Sequence, residues 1–190
     1  MAAEIIRPNS DITTTWSAFG TPVYSRFNEA VTQPTAGGQT TYAGKKDSNG
    51  SEQQCGFPTP VNSGTCTQVK IWMYARSVQD AMFLSTRIQV NGVWTSTQFA
   101  VSSTNDVWEW LSLTYTVNNA MSTLGLKIGM QANGMVKNDE INIDVLYAEL
   151  TYTPAASGGG PNRMFATSGA RAVSAMQKPS LLVPLGFPVT

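Results

Sequence analysis

Three observations predict an all-β protein, an antiparallel β-sandwich of jelly-roll-like form followed by an extended C-terminal arm. Strict alternation of apolar and polar side chains fills the middle of the chain. The alternating runs follow one another at short, fairly regular intervals with turn residues between them. The composition then changes abruptly after Thr153. The chain's 190 residues suit one well-buried domain.

Residues 12–57 are expected to hold short strands around Trp16, Tyr24 and Tyr42, broken by Gly37-Gly38 and Asn49-Gly50, with 28–39 as a loop. The next strand sets Val69, Ile71, Met73 and Ala75 on one face and Lys70, Trp72, Tyr74 and Arg76 on the other. Met82, Leu84, Thr86, Ile88 and Val90 then alternate with Phe83, Ser85, Arg87 and Gln89. Asn91-Gly92 before Val93-Trp94 is a hairpin signal, because both residues tolerate the positive φ of a type I′ turn. A strand over 107–117 presents Leu111, Leu113, Tyr115 and Val117, and one over 123–132 presents Leu124, Leu126, Ile128 and Met130. The longest, 140–153, is read with Ile141, Ile143, Val145 and Tyr147 on one face against Asn142, Asp144 and Leu146.

These runs set the domain boundaries: a sandwich over 1–153, a Gly/Pro linker over 154–161, and an assembly arm over 162–190. The arm ends in an apolar stretch with three prolines, which block a helix or a central strand and favour an extended path. Burying each of its large side chains contributes roughly 1.5–3 kcal/mol, so Phe165, Leu181, Leu182, Val183, Leu185 and Phe187 are read as the partner-binding anchors. Ala3–Arg7 is a candidate second contact.

Net charge is zero, but 1–154 carry −3 and 155–190 carry +3. No basic patch points to nucleic acid. Charged residues make up only 13 % of the chain, which fits a surface covered by other subunits. The start of the chain lacks the pattern of a signal peptide, and no apolar run is long enough to span a membrane. The expectation is synthesis in a cytoplasm and no membrane partner.

The chain has no His, so the commonest general base and metal ligand is missing. No GxSxG, P-loop or HExxH pattern occurs. The expectation is a non-enzymatic protein without cofactor or metal. Asp139-Glu140 lies close to Asp144, and Asp106 lies close to Glu109, but Asp139-Glu140 sits in a polar turn and is read as a pair of solvated turn charges rather than a paired-carboxylate site. Asp11, Asp47, Asp106 and Asp139 are loop oxygens of the kind calcium uses, but no spacing singles them out. Cys55 and Cys66, eleven residues apart around Pro58, Pro60 and Gly64, fit a disulfide and two free buried thiols equally well. Trp72, Tyr74, Trp108 and Trp110 lie in strands and are candidates for stacking on a glycan; Trp94 belongs to the same aromatic set.

The order Arg7-Pro8-Asn9-Ser10-Asp11, Trp16-Ser17-Ala18-Phe19-Gly20, Tyr24, Phe27-Asn28-Glu29, Pro34, Thr41-Tyr42, Phe57 and the strand Val69–Arg76 resembles a β-sandwich module of tailed-phage virion proteins. The resemblance covers roughly residues 5–153. It implies a structural protein of capsid decoration (cement), head-fibre or tail-accessory type, with no catalytic residues to carry over. The implied partners are a major capsid or other virion protein and further copies of the chain as a homo-oligomer such as a trimer; the implied location is the virion. The rival readings are a carbohydrate-binding module for attachment and a subunit of an extracellular filament.

Overall fold

The protein was studied as a computed structural model, which describes residues 1–13, 15–18, 27, 43–46, 52–78, 83–101, 106–135 and 139–156. Tyr24, Tyr42, Asp47, Met82, the 28–39 segment, the linker from Ser157 onward and the arm anchors Phe165, Leu181, Leu182, Val183, Leu185 and Phe187 lie outside the described residues.

Among the described residues, two antiparallel six-stranded sheets pack face to face. The first is built from β1 (Ala2–Ile6), β3 (Ser17–Ala18), β4 (Ala43–Lys46), β6 (Gly64–Val78), β10 (Glu109–Ala120) and β12 (Glu140–Pro154). The second holds β2 (Ser10–Thr13), β5 (Gln53–Gly56), β7 (Phe83–Val90), β8 (Val93–Trp94), β9 (Gln98–Val101) and β11 (Lys127–Asn133). The pairings are nested: β1 lies beside the last strand β12, β5 beside β11, β6 beside β10, and β7 beside β9. This rolled-up arrangement is the jelly roll, in which the two sheets' inner faces share one core.

The alternation reads through directly into that core. Val69, Ile71, Met73 and Ala75 of β6 are fully buried, as are Leu84, Thr86 and Ile88 of β7, while Leu111, Leu113 and Tyr115 of β10 close the same interior. Asn91 (φ 48°) and Gly92 (φ 81°) turn β7 into β8, with Val90 opposite Val93.

Four expectations are corrected. First, Leu124 and Leu126 are buried but precede β11: residues Met121–Thr123 form a 3₁₀ turn instead of strand. Second, β12 does not keep one face throughout. Its register shifts between Ile143 and Val145, a β-bulge that places one extra residue in the strand. Ile141 and Ile143 enter the core before it; Leu146, Ala148, Leu150 and Tyr152 enter after it. Third, Asp139 is almost fully buried rather than a solvated turn charge, and Asp144 at the bulge is buried as well, because the bulge and the start of β12 lie inside the packed sheet. Fourth, Ala2–Ile6, to which the sequence reading gave no strand, pairs along β12, with Ala3 opposite Thr151 and Ile5 opposite Glu149.

Met1–Ala155 forms one compact unit, and Ala156–Thr190 is a second unit by contact. The division falls at the end of β12, where Pro154 closes the strand.

Candidate functional site

The four aromatic residues singled out in the sequence meet on the outer face of the first sheet. Trp72 and Tyr74 point outward from β6 because their odd-numbered neighbours take the core face, and Trp110 pairs directly with Tyr74 across β10. Trp108, just before β10, stacks on Tyr74 with centroids 5.4 Å apart and planes 20° apart. Trp110 lies 5.1 Å from Tyr74 and 6.2 Å, edge-on, from Trp72.

A fifth ring joins them that the sequence reading put on one face with Ile141 and Ile143. The bulge at Asp144 reverses the phase of β12 and turns Tyr147 outward, opposite Trp72. It stacks on Trp72 at 6.2 Å and meets Trp110 edge-on at 6.0 Å. A continuous alternation through Asp144 hides this; the signal available was the polar Asn142 and Asp144 interrupting an apolar run.

Charges frame the patch. Lys70 Nζ sits 3.8 Å over the Trp72 ring and the Arg76 guanidinium 5.1 Å over Trp108, placements in which a cation meets the negative ring face. Trp72 Nε1 donates a 3.0 Å hydrogen bond to Glu149. Arg76 also pairs with the exposed Asp106 at 3.0 Å. Burial, with the nearby Asp144 charge adding to it, pushes the Tyr74 phenol above its ordinary pKa.

The arrangement is therefore a self-packed aromatic layer. The rings of Trp72, Tyr74 and Trp108 give their faces largely to one another and to Lys70 and Arg76; Trp110, 37 % exposed, is the most open of them. Trp94 is elsewhere, on β8 of the second sheet beneath the Arg87 guanidinium at 4.3 Å.

The remaining candidates resolve as follows. Cys55 and Cys66 are free, buried thiols. They lie on β5 and β6, strands of opposite sheets, each occupying a core position. Among the described residues no group of three His, Cys, Asp or Glu side chains is arranged to hold a metal ion. Asp11 instead accepts hydrogen bonds from Gln53 Nε2 and the Cys55 thiol. Gln53, fully buried, also accepts from the Thr15 and Trp16 amides, an anchoring role that its sequence context did not signal. No helix among the described residues is long and apolar enough to cross a membrane.

No protein-family model and no curated protein matches the chain. Among solved structures it is similar to the N-terminal CBM22-1–GH10 modules of Clostridium thermocellum endo-1,4-beta-D-xylanase 10B complexed with xylohexaose, at 10% identity over 62% of this chain and 23% of that one, TM-score 0.39. It is similar also to the Agl-KA catalytic domain, at 18% identity over 85% of this chain and 30% of that one, TM-score 0.44. A third is TmCBM61 in complex with beta-1,4-galactotriose, at 11% identity over 77% and 86% of the two chains, TM-score 0.38. This chain spans less than a third of the first two, and at these scores the likenesses carry nothing about function.

Proposed function

We propose that the chain is a non-enzymatic structural protein of a virion, of the capsid decoration type, whose jelly-roll sandwich sits on the particle while residues 162–190 lie along a neighbouring subunit. The observation that carries this reading is the division of the chain at Ala155. A self-contained sandwich is followed by a Gly/Pro linker and an apolar, proline-spaced sequence ending in Leu181, Leu182, Val183, Leu185 and Phe187. Burial of such side chains against other copies strengthens a lattice without chemistry. The jelly roll agrees with the reading but does not select it, since viral capsid and lectin domains both use it.

The test compares the full chain with residues 1–154 by size-exclusion chromatography with light scattering, and then by binding to particles. A full chain that assembles beside a monomeric 1–154 supports the reading. Two monomers, or complete decoration of particles by 1–154, would remove the arm from it.

The aromatic face favours a second reading, a carbohydrate-binding module, because Trp72, Tyr74, Trp108, Trp110 and Tyr147 form one outward patch. A change in tryptophan fluorescence on adding a polysaccharide, abolished in Trp110→Ala, is the result that would support it.

A further inference from the structure

The outer face of the second sheet holds a groove of about 550 Å³ lined by Glu52, Ser85, Arg87, Phe99, Gln131 and Asn133 among others. It follows from side-chain size along the outward positions of four neighbouring strands, in the order β5, β11, β7, β9. The two central strands carry the short residues Gly129 and Ser85 there, while Glu52 rises on the β5 side and Phe99 on the β9 side. A Cβ on Gly129 would stand 2.5 Å from the Glu52 carboxylate carbon, so a larger residue there displaces that side chain.

The polar groups of the groove are held in place before any ligand arrives. Arg87 donates to both Glu52 oxygens, from Nε at 2.7 Å and Nη2 at 3.0 Å. Gln54 Nε2 donates to the same carboxylate at 2.6 Å, and Trp94 backs the guanidinium. Asn133 Nδ2 donates to Ser85 Oγ at 2.6 Å and to the Gln131 carbonyl at 3.1 Å, which uses its amide protons and leaves Oδ1 as an acceptor. Beside these sit two apolar rings on the same face, Phe99 at 62 % exposure and Phe83 at 50 %.

The geometry points to a binding site for a neutral oligosaccharide in this groove. Among its described lining residues one guanidinium is matched by one carboxylate, so these offer no net charge to an anion or a cation. Fixed amides, a hydroxyl and an ion pair next to an exposed phenyl ring suit a ligand with hydroxyls on its rim and an apolar C–H face. The volume lies within the ~300–1,000 Å³ of sites that enclose small ligands. An added peptide strand is disfavoured, because it pairs with an open backbone edge, and β11 and β7, which form the floor, are flanked by strands on both sides. The inference shares a ligand class with the carbohydrate-binding reading but sets it on the opposite sheet, and it is independent of the arm.

The experiment is calorimetric titration of the full chain with soluble neutral hexasaccharides of glucose, xylose, mannose and galactose, and with an acidic oligogalacturonide. Phe99→Ala, Gln131→Ala and Trp110→Ala are titrated in parallel, after thermal melts show that each remains folded. The expected result is millimolar or tighter binding of at least one neutral hexasaccharide, weakened about tenfold or more (about 1.4 kcal/mol) by Phe99→Ala and Gln131→Ala. Trp110→Ala should leave it unchanged. Binding lost in Trp110→Ala but kept in Phe99→Ala moves the site to the aromatic face and overturns the inference. Binding of the acidic ligand alone, or of none, overturns it as well.

Discussion

Tyr115 ties the two sheets together through one atom. It points inward from β10 and its hydroxyl donates a 2.7 Å hydrogen bond to the backbone carbonyl of Thr86 on β7. Burial pushes the phenol's pKa far above its ordinary value, so it remains a donor at any pH the fold tolerates. Tyr115→Phe keeps the ring and removes the donor, leaving a buried carbonyl short of a partner at a cost of about 1–3 kcal/mol. In urea the midpoint should fall while the slope stays the same; an unchanged midpoint would show that the bond is not a stabilising link. The cysteines answer to burial too. Burial raises the Cys55 thiol to about 12, with the bond from Gln53 opposing and the Asp11 charge reinforcing the rise, and burial raises Cys66 against a bond to the Gln68 carbonyl. Since the thiolate is the reactive form, native protein kept without reductant should resist a thiol reagent at mildly alkaline pH. The unfolded chain should then titrate two thiols; none would mean a disulfide.

Two carboxylates act at the scale of elements, fastening strands to what lies beside them. Glu4 on β1 accepts from the Val61 and Asn62 amides at 2.8 and 3.1 Å, and Glu52 holds Arg87 of β7 over β11. Burial raises both pKa values, but the hydrogen bonds received outweigh it, and both end below the ordinary 4.5. A carboxylate depressed in the folded state contributes stability above its unfolded pKa and loses it as pH falls through the folded value. Melting temperature should therefore drop as the pH is lowered below about 4.5, and less steeply in Glu52→Gln. Equal slopes would remove Glu52 from the effect. The strands these residues join were largely legible in the sequence. β6, β7 and β10 announce themselves because one face is buried and the other is not, and Asn91-Gly92 gives the turn its positive φ. The phase reversal within β12 was not legible, because a bulge changes which residues face inward without changing the residues. That one event hid Tyr147 from the aromatic patch and hid the inward turn of Leu146, which the sequence had set on one face with Asn142 and Asp144. The groove was equally hidden: Glu52, Gln131 and Phe99 lie far apart in the chain, and only the strand order β5, β11, β7, β9 makes them neighbours.

At the scale of the whole molecule, the nested pairing makes the sandwich close on itself. Because β1 lies against β12, the first and last of the described strands are each other's neighbours. The core cluster gathers side chains from Ile6 to Tyr152, drawn from both sheets. A unit with this closure should unfold as one cooperative body, with a denaturant slope set by the surface it buries. Ending the chain after Ala155 removes none of the strands β1–β12, so the urea midpoint and slope of residues 1–155 should match those of the full-length monomer if the sandwich stands by itself. If the arm lent its apolar side chains to its own sandwich, the shortened chain would expose core, and the midpoint would fall by the equivalent of several kcal/mol at roughly 1.5–3 kcal/mol for each large side chain lost. A matching curve leaves Leu181, Leu182, Leu185 and Phe187 without a home in their own domain, which is the condition under which they are available to another subunit. A lower midpoint for 1–155 would instead make the arm a strap of its own fold, and the decoration reading would lose the observation on which it rests.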